Sequence, residues 1–172
     1  MRPLTILAIV AIIAVPVVTF YDFNGHSLDI SDRQVVLVVT DSMDGDVHDY
    51  DIGSFPANTL VMVEHLSYQE KRFLRIGDVI SYYDGDMLIH HRIVKVEGDT
   101  FYVHGDNNHS TDKVNIDDIN GVVVGTNVWI GHATSFVQHN FLVFLGIMFV
   151  LCSALIVYAV YSGEPKKEVE SE

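Results

Sequence analysis

Ser42 stands in the segment Thr40-Asp41-Ser42-Met43-Asp44-Gly45, directly after an apolar, β-branched run. A serine hydroxyl is a poor nucleophile until a neighbouring base takes its proton. At a strand end before a turn it is both exposed and firmly aimed. A serine there is most often a plain turn residue, so the base decides the matter. Two candidates adjoin in residues 87–96, MLIHHRIVKV. Successive side chains of a strand point to opposite faces. His91 therefore shares a face with Ile89 and Ile93, and His90 with Leu88, Arg92 and Val94. Only one of them can face a given cleft, and the alternation does not choose. The chain has nine histidines, so one alone carries little weight. A carboxylate could come from the segment YVHGDNNHSTD, which offers Asp106 and Asp112. A carboxylate accepting a ring N–H of the histidine would fix its tautomer and stabilise the imidazolium. The plainer reading of the same segment is an Asx-rich turn over residues 105–108.

The same side chains allow other chemistry. His90, His91, His104, His109, Asp106 and Asp112 together offer nitrogen and oxygen ligands for zinc or manganese. No i, i+4 histidine pair on a helix supports that reading. A non-catalytic β domain that binds a partner is the third possibility.

Short strands must position these groups. Residues 34–40 (QVVLVVT) are a β-branched run without alternation, as in a strand covered on both faces. Residues 59–64, 78–83, 87–96, 100–104 and 121–130 read as further strands. Asp84-Gly85-Asp86 is a hairpin signal, and Gly98-Asp99 turns the chain again. Residues 67–75 suggest a short helix, and residues 44–56, rich in Asp, Gly and Pro, a loop. No long 3.6-residue period lies in this middle. The expected fold class is mainly β: a compact antiparallel domain over residues 22–135.

The two ends are different in kind. Residues 3–21 carry no charged side chain, and as a helix they would reach about 28 Å, close to the thickness of a bilayer core. An uncleaved anchor over residues 1–21, kinked at Pro16, is favoured over a cleaved leader, because no A-x-A ends the run. Residues 136–161 have no Asp, Glu, Lys or Arg, and read as a transmembrane helix over 136–162. A polar tail follows at 163–172. Arg2 beside the first span and Lys166 and Lys167 after the second place both ends in the cytoplasm and the β domain outside. Four of the 23 acids (Glu164, Glu168, Glu170, Glu172) lie in the tail. The outer segment thus sets 19 acids against seven bases, a net charge of −12. Such a surface repels nucleic acid and anionic headgroups. Cys152, the one cysteine, lies inside the second apolar run, so no intrachain disulfide can form.

Taken in order, these pieces resemble a family. A strand followed by Ser42-Met43, then GDVISY, HRIV, GDNN with Asp112 six residues after Asp106, and GVVVG, is similar to the type I signal peptidases, in particular their archaeal and endoplasmic-reticulum branch. The likeness covers about residues 35–125. It implies that Ser42 is the nucleophile and that His91, the histidine directly before Arg92, is the base where the bacterial branch uses lysine. It implies Asp112 as the orienting carboxylate and Asp106 as a supporting one. The oxyanion would be held by the Ser42 backbone N–H and the Thr40 hydroxyl. No cofactor is implied. The implied partners are signal peptides of secreted precursors and the lipid bilayer, with a translocon or accessory subunits as further candidates, and no nucleic acid. This chain departs from the usual S-M-x-P by having Gly45 in place of proline. It also has Asp41 before the serine, and a long stretch from Asp46 to Pro56.

Overall fold

The structure, a computed structural model, describes residues 28–161. The expected first span and the polar tail lie outside the described residues. The chain divides into two compact units, of which residues 25–136 form the β domain.

Eight antiparallel strands make one sheet: β1 (Leu28–Ile30), β2 (Arg33–Leu37), β3 (Leu60–His65), β4 (Val79–Asp84), β5 (Met87–Glu97), β6 (Thr100–His104), β7 (Asp112–Asn115) and β8 (Ile119–Asn127). Their order is β1-β2-β3-β8-β4-β5-β6-β7. The last strand thus enters between β3 and β4 and joins the two halves of the domain. The mainly β expectation holds. β1 and β7 are strands that the sequence patterns did not reveal, both too short to show alternation.

Local chemistry explains the hairpin that carries the histidines. Asp84 pairs with Met87, leaving the two-residue turn Gly85-Asp86, with Gly85 at φ +60°. That left-handed backbone is easy for glycine. β5 then runs eleven residues with an irregular register between Ile93 and Lys95. Two apolar clusters hold the sheet. One gathers Ile80, Tyr82, Ile93, Phe101, Val103, Val114, Ile116 and Ile119. The other gathers Val38, Met43, Phe55, Val61, Val63, Val79 and Val123. Each large side chain buried in this way contributes about 1.5–3 kcal/mol. Adjacent Val79 and Ile80 belong to different clusters, so β4 is covered on both faces.

The helices differ from the sequence reading in three places. The helix expected over 67–75 is the single turn α1 (Tyr68–Lys71), closed by a capping box between Ser67 and Glu70. Residues 128–130 are not strand. Asn127 Oδ1 accepts the Ile130 N–H at 2.9 Å, capping a helix, α2 (Val128–His139), in spite of β-favouring Val, Trp and Ile. The helix expected over 136–162 is therefore two. Asn140 interrupts it, its carbonyl accepting the Phe144 N–H at 2.9 Å, and α3 (Phe141–Tyr161) follows. Among the described residues one helix is long and apolar enough to cross a membrane, over Phe141–Tyr158 with a mean hydropathy of 2.7. The pair of spans expected from the sequence reduces to this one, because the other lies outside the described residues.

Candidate active site

Ser42 lies in the turn that closes with the Asp44 N–H on the Asp41 carbonyl at 3.0 Å. Met43, fully buried, pins that turn into the second apolar cluster, and its carbonyl accepts the Phe55 N–H at 2.9 Å. The loop of residues 44–56 is thereby anchored at both ends. The Asp41 carboxylate accepts the Ala57 N–H at 2.9 Å, so its charge is engaged with backbone rather than left unpaired beside the serine. Ser42 Oγ lies 3.3 Å from Thr40 Oγ1. The Ser42 N–H has no hydrogen-bond partner among the described residues.

A second loop is stitched onto this one. The Asn107 N–H donates to the Ser42 carbonyl at 2.9 Å, and Asn107 Nδ2 to the Asp41 carbonyl at 3.2 Å. Two glycines permit the contact. A Cβ on Gly105 would collide with the Ser42 carbonyl oxygen. A Cβ on Gly45 would lie 2.7 Å from the Asp106 carbonyl oxygen. Proline in place of Gly45 would bring such a carbon, so the departure at this position has a steric reason.

The same turn reaches the histidine. Asn108 Nδ2 lies 3.4 Å from His91 Nε2. At the other edge of the ring, His91 Nδ1 lies 3.1 Å from Asp112 Oδ2. Tyr82 completes the group: its hydroxyl donates to Asp112 Oδ2 at 2.9 Å, and its oxygen is 3.0 Å from His91 Nδ1. A carboxylate only accepts, so the ring proton belongs on Nδ1 and Nε2 keeps a lone pair. Burial of the ring holds the His91 pKa below its ordinary value, against the opposing pull of Asp112. The imidazole is therefore neutral at pH 7, with Nε2 ready to take a proton. Burial, then the bond to Asp112, raises the Tyr82 phenol, which stays protonated as a donor. Ser42 Oγ and His91 Nε2 are not hydrogen-bonded to each other; the 105–108 turn is bonded to both residues, to the Ser42 carbonyl and to His91 Nε2. Catalytic contacts are often long before substrate binds.

His90 faces the other way. Its Nδ1 is 2.7 Å from Ser81 Oγ, its Nε2 is buried with no hydrogen-bond partner among the described residues, and burial lowers its pKa to about 4. Asp106 is not beside the imidazole either. Its side chain is wholly buried and takes two bonds from Arg92, Nε to Oδ1 at 2.8 Å and Nη2 to Oδ2 at 2.6 Å. Ser54 Oγ donates to Oδ2 at 2.7 Å. Arg92 Nη1 ties this pair to the Ile52 and Gly77 carbonyls. Asp106 thus supports the turn that carries Asn107 and Asn108. The six residues considered as metal ligands are not gathered: among the described residues no group of three or more His, Cys, Asp or Glu is placed to hold an ion.

No protein-family model and no curated protein matches the chain.

Sequence reasoning missed Tyr82, Asn108 and the partners of Asp106, Arg92 and Ser54. Two signals pointed to them. Ile80 pairs with His91, so Tyr82, two residues on, shares the imidazole's face of the sheet. Arg92 lies between His91 and Ile93 in the middle of a strand, and an arginine buried there is almost never unpaired.

Proposed function

We propose that the chain is a membrane-anchored serine endopeptidase of the type I signal peptidase kind. It removes amino-terminal signal peptides from secreted precursors on the outer face of the membrane. The observation that carries this reading is the His91–Asp112 pair: a neutral imidazole, oriented through Nδ1, whose Nε2 faces a turn bonded to the Ser42 backbone.

Ser42 Oγ attacks the scissile carbonyl carbon while its proton passes to His91 Nε2. The Asn108 amide has to turn aside for this transfer. Asp112 and Tyr82 stabilise the imidazolium from the Nδ1 side. The oxyanion takes the open Ser42 N–H and, after rotation away from Oγ, the Thr40 hydroxyl; each such donor lowers the barrier by about 3 kcal/mol. His91 then gives its proton to the leaving amine. Water, deprotonated by His91, cleaves the acyl-enzyme and restores Ser42. The substrate lies extended as an added strand, with small side chains in two shallow pockets. α3, long and apolar enough to cross the bilayer, would keep the domain where signal peptides emerge.

The deciding experiment is cleavage of a labelled secretory precursor by the full chain in membranes, with and without Ser42→Ala, a phosphonate serine reagent and EDTA. Cleavage lost with the first two and kept in EDTA is the expected result. Cleavage abolished by EDTA but untouched by the phosphonate would transfer the chemistry to a metal ion. No cleavage by the unaltered chain would leave a peptide-binding β domain.

A further inference from the structure

α2 presents its faces the wrong way round for a helix on a soluble domain. Gly131, Thr134 and Ser135, at i, i+3 and i+4, form its buried face. Gly131 packs so closely on the chain at Asn58–Leu60 that any Cβ there would collide with backbone, and Ser135 Oγ donates to Asn58 Oδ1 at 2.7 Å. The opposite face carries Trp129, Ala133 and Phe136 at i, i+4 and i+7, flanked by Ile130. Trp129 is 88% exposed, Phe136 65% and Ile130 53%. The small and hydroxyl-bearing side chains thus meet the β domain, and the large apolar ones face outward. Contiguous apolar surface of this kind marks a contact with something other than water.

We infer that this outward face of α2 lies in the interfacial layer of the lipid bilayer, parallel to its plane. Three features select lipid as the occupant. A single residue, Asn140, separates α2 from α3, which is long and apolar enough to cross; a helix entering the bilayer at Phe141 holds the end of α2 at the boundary. α2 has twelve residues, about 18 Å, too short for a hydrocarbon core of about 30 Å, and its exposed polar His132 and His139 suit the headgroup layer. The most exposed residue of its outward face is Trp129, the side chain enriched at that depth. α2 contains no Asp, Glu, Lys or Arg, so the contact is apolar and aromatic rather than an attraction to anionic lipid. The inference does not depend on the peptidase reading.

Trp129 is the only tryptophan in the chain, so its fluorescence reports this face without labelling. The full chain is reconstituted in phosphatidylcholine bilayers brominated either near the headgroup end of the acyl chains or near their methyl end. The expected result is a blue-shifted emission, quenched more strongly by the shallow bromines than by the deep ones. A second chain, Trp129→Phe with Phe136→Trp, should be quenched at the same depth, because both positions lie on one face of a helix in the membrane plane. Water-like emission open to acrylamide and untouched by either lipid overturns the inference. Emission shielded from lipid and acrylamide alike assigns the face to a protein partner and overturns it too. Quenching that deepens from position 129 to 136 shows α2 entering the bilayer along its axis and excludes the in-plane placement.

Discussion

Consecutive residues of β5 feed two carboxylates in opposite ways. His91 meets Asp112, whose side chain is 44% exposed and whose company is one imidazole and one phenol. Arg92 meets Asp106, whose side chain is sealed from solvent and has both oxygens occupied by a guanidinium and a hydroxyl. The two aspartates stand six residues apart in sequence, and either could serve a histidine on paper. What separates them is the free capacity of their oxygens. Asp106 has none to offer a reacting imidazole, whereas Asp112 opens β7 at the rim with room to follow the ring as it gains charge.

Five measurements would break or sharpen this contrast. Ser42→Ala should lower precursor cleavage by about 10⁶-fold and leave the melting temperature unchanged, since a turn hydroxyl at the surface carries little stability. Asp112→Asn should cost about 10⁴-fold in kcat through the wrong imidazole tautomer, again with little effect on melting. Asp106→Ala should do the reverse: leaving Arg92 buried and unpaired costs about 3–5 kcal/mol of stability, read as a large fall in thermal or denaturant midpoint. A destabilised Asp112 variant beside a stable Asp106 variant would invert the assignment. On the far face, His90 titrates at about 4 when folded and near 6.5 when unfolded. The unfolded chain therefore binds the proton first, stability is full above pH 6.5, and it falls as pH drops towards 4. At about 1.4 kcal/mol per pH unit the loss reaches about 3 kcal/mol; His91, also lowered, adds in the same sense. Denaturant melts across that window check the slope, and His90→Gln should flatten it. Tyr82→Phe should have the smallest effect, a few-fold in kcat for a hydrogen bond of about 1 kcal/mol. Asp112 would then lose a donor and act more fully on His91, moving the acid limb of kcat/KM to higher pH.

The hairpin carrying the histidines was legible because Asp84-Gly85-Asp86 and the run after it are local signals, and strand parity put His90 and His91 on opposite faces. Parity could not say which face was the useful one. That depends on β6 and β7 pairing beyond β5, and β7 is four residues starting at the very aspartate in question. The strand that Asp112 opens went unread because nothing in STDKVN alternates long enough to announce it. The helical end was misread for a related reason. Val128, Trp129 and Ile130 favour strands, but one asparagine cap and the fit of Gly131 against Asn58 outweigh them. Asn140, which closes the polar run Gln138-His139-Asn140, divides what looks like one helix into two.

The paired glycines at 45 and 105 make the serine loop and the asparagine turn a matched set. A serine loop transplanted alone from a protease that keeps proline at position 45 would arrive with a carbon for which the 105–108 turn has no room. Changes at these sites should therefore be inherited together, and an engineer grafting new specificity into residues 41–56 would have to redraw residues 105–108 in the same step.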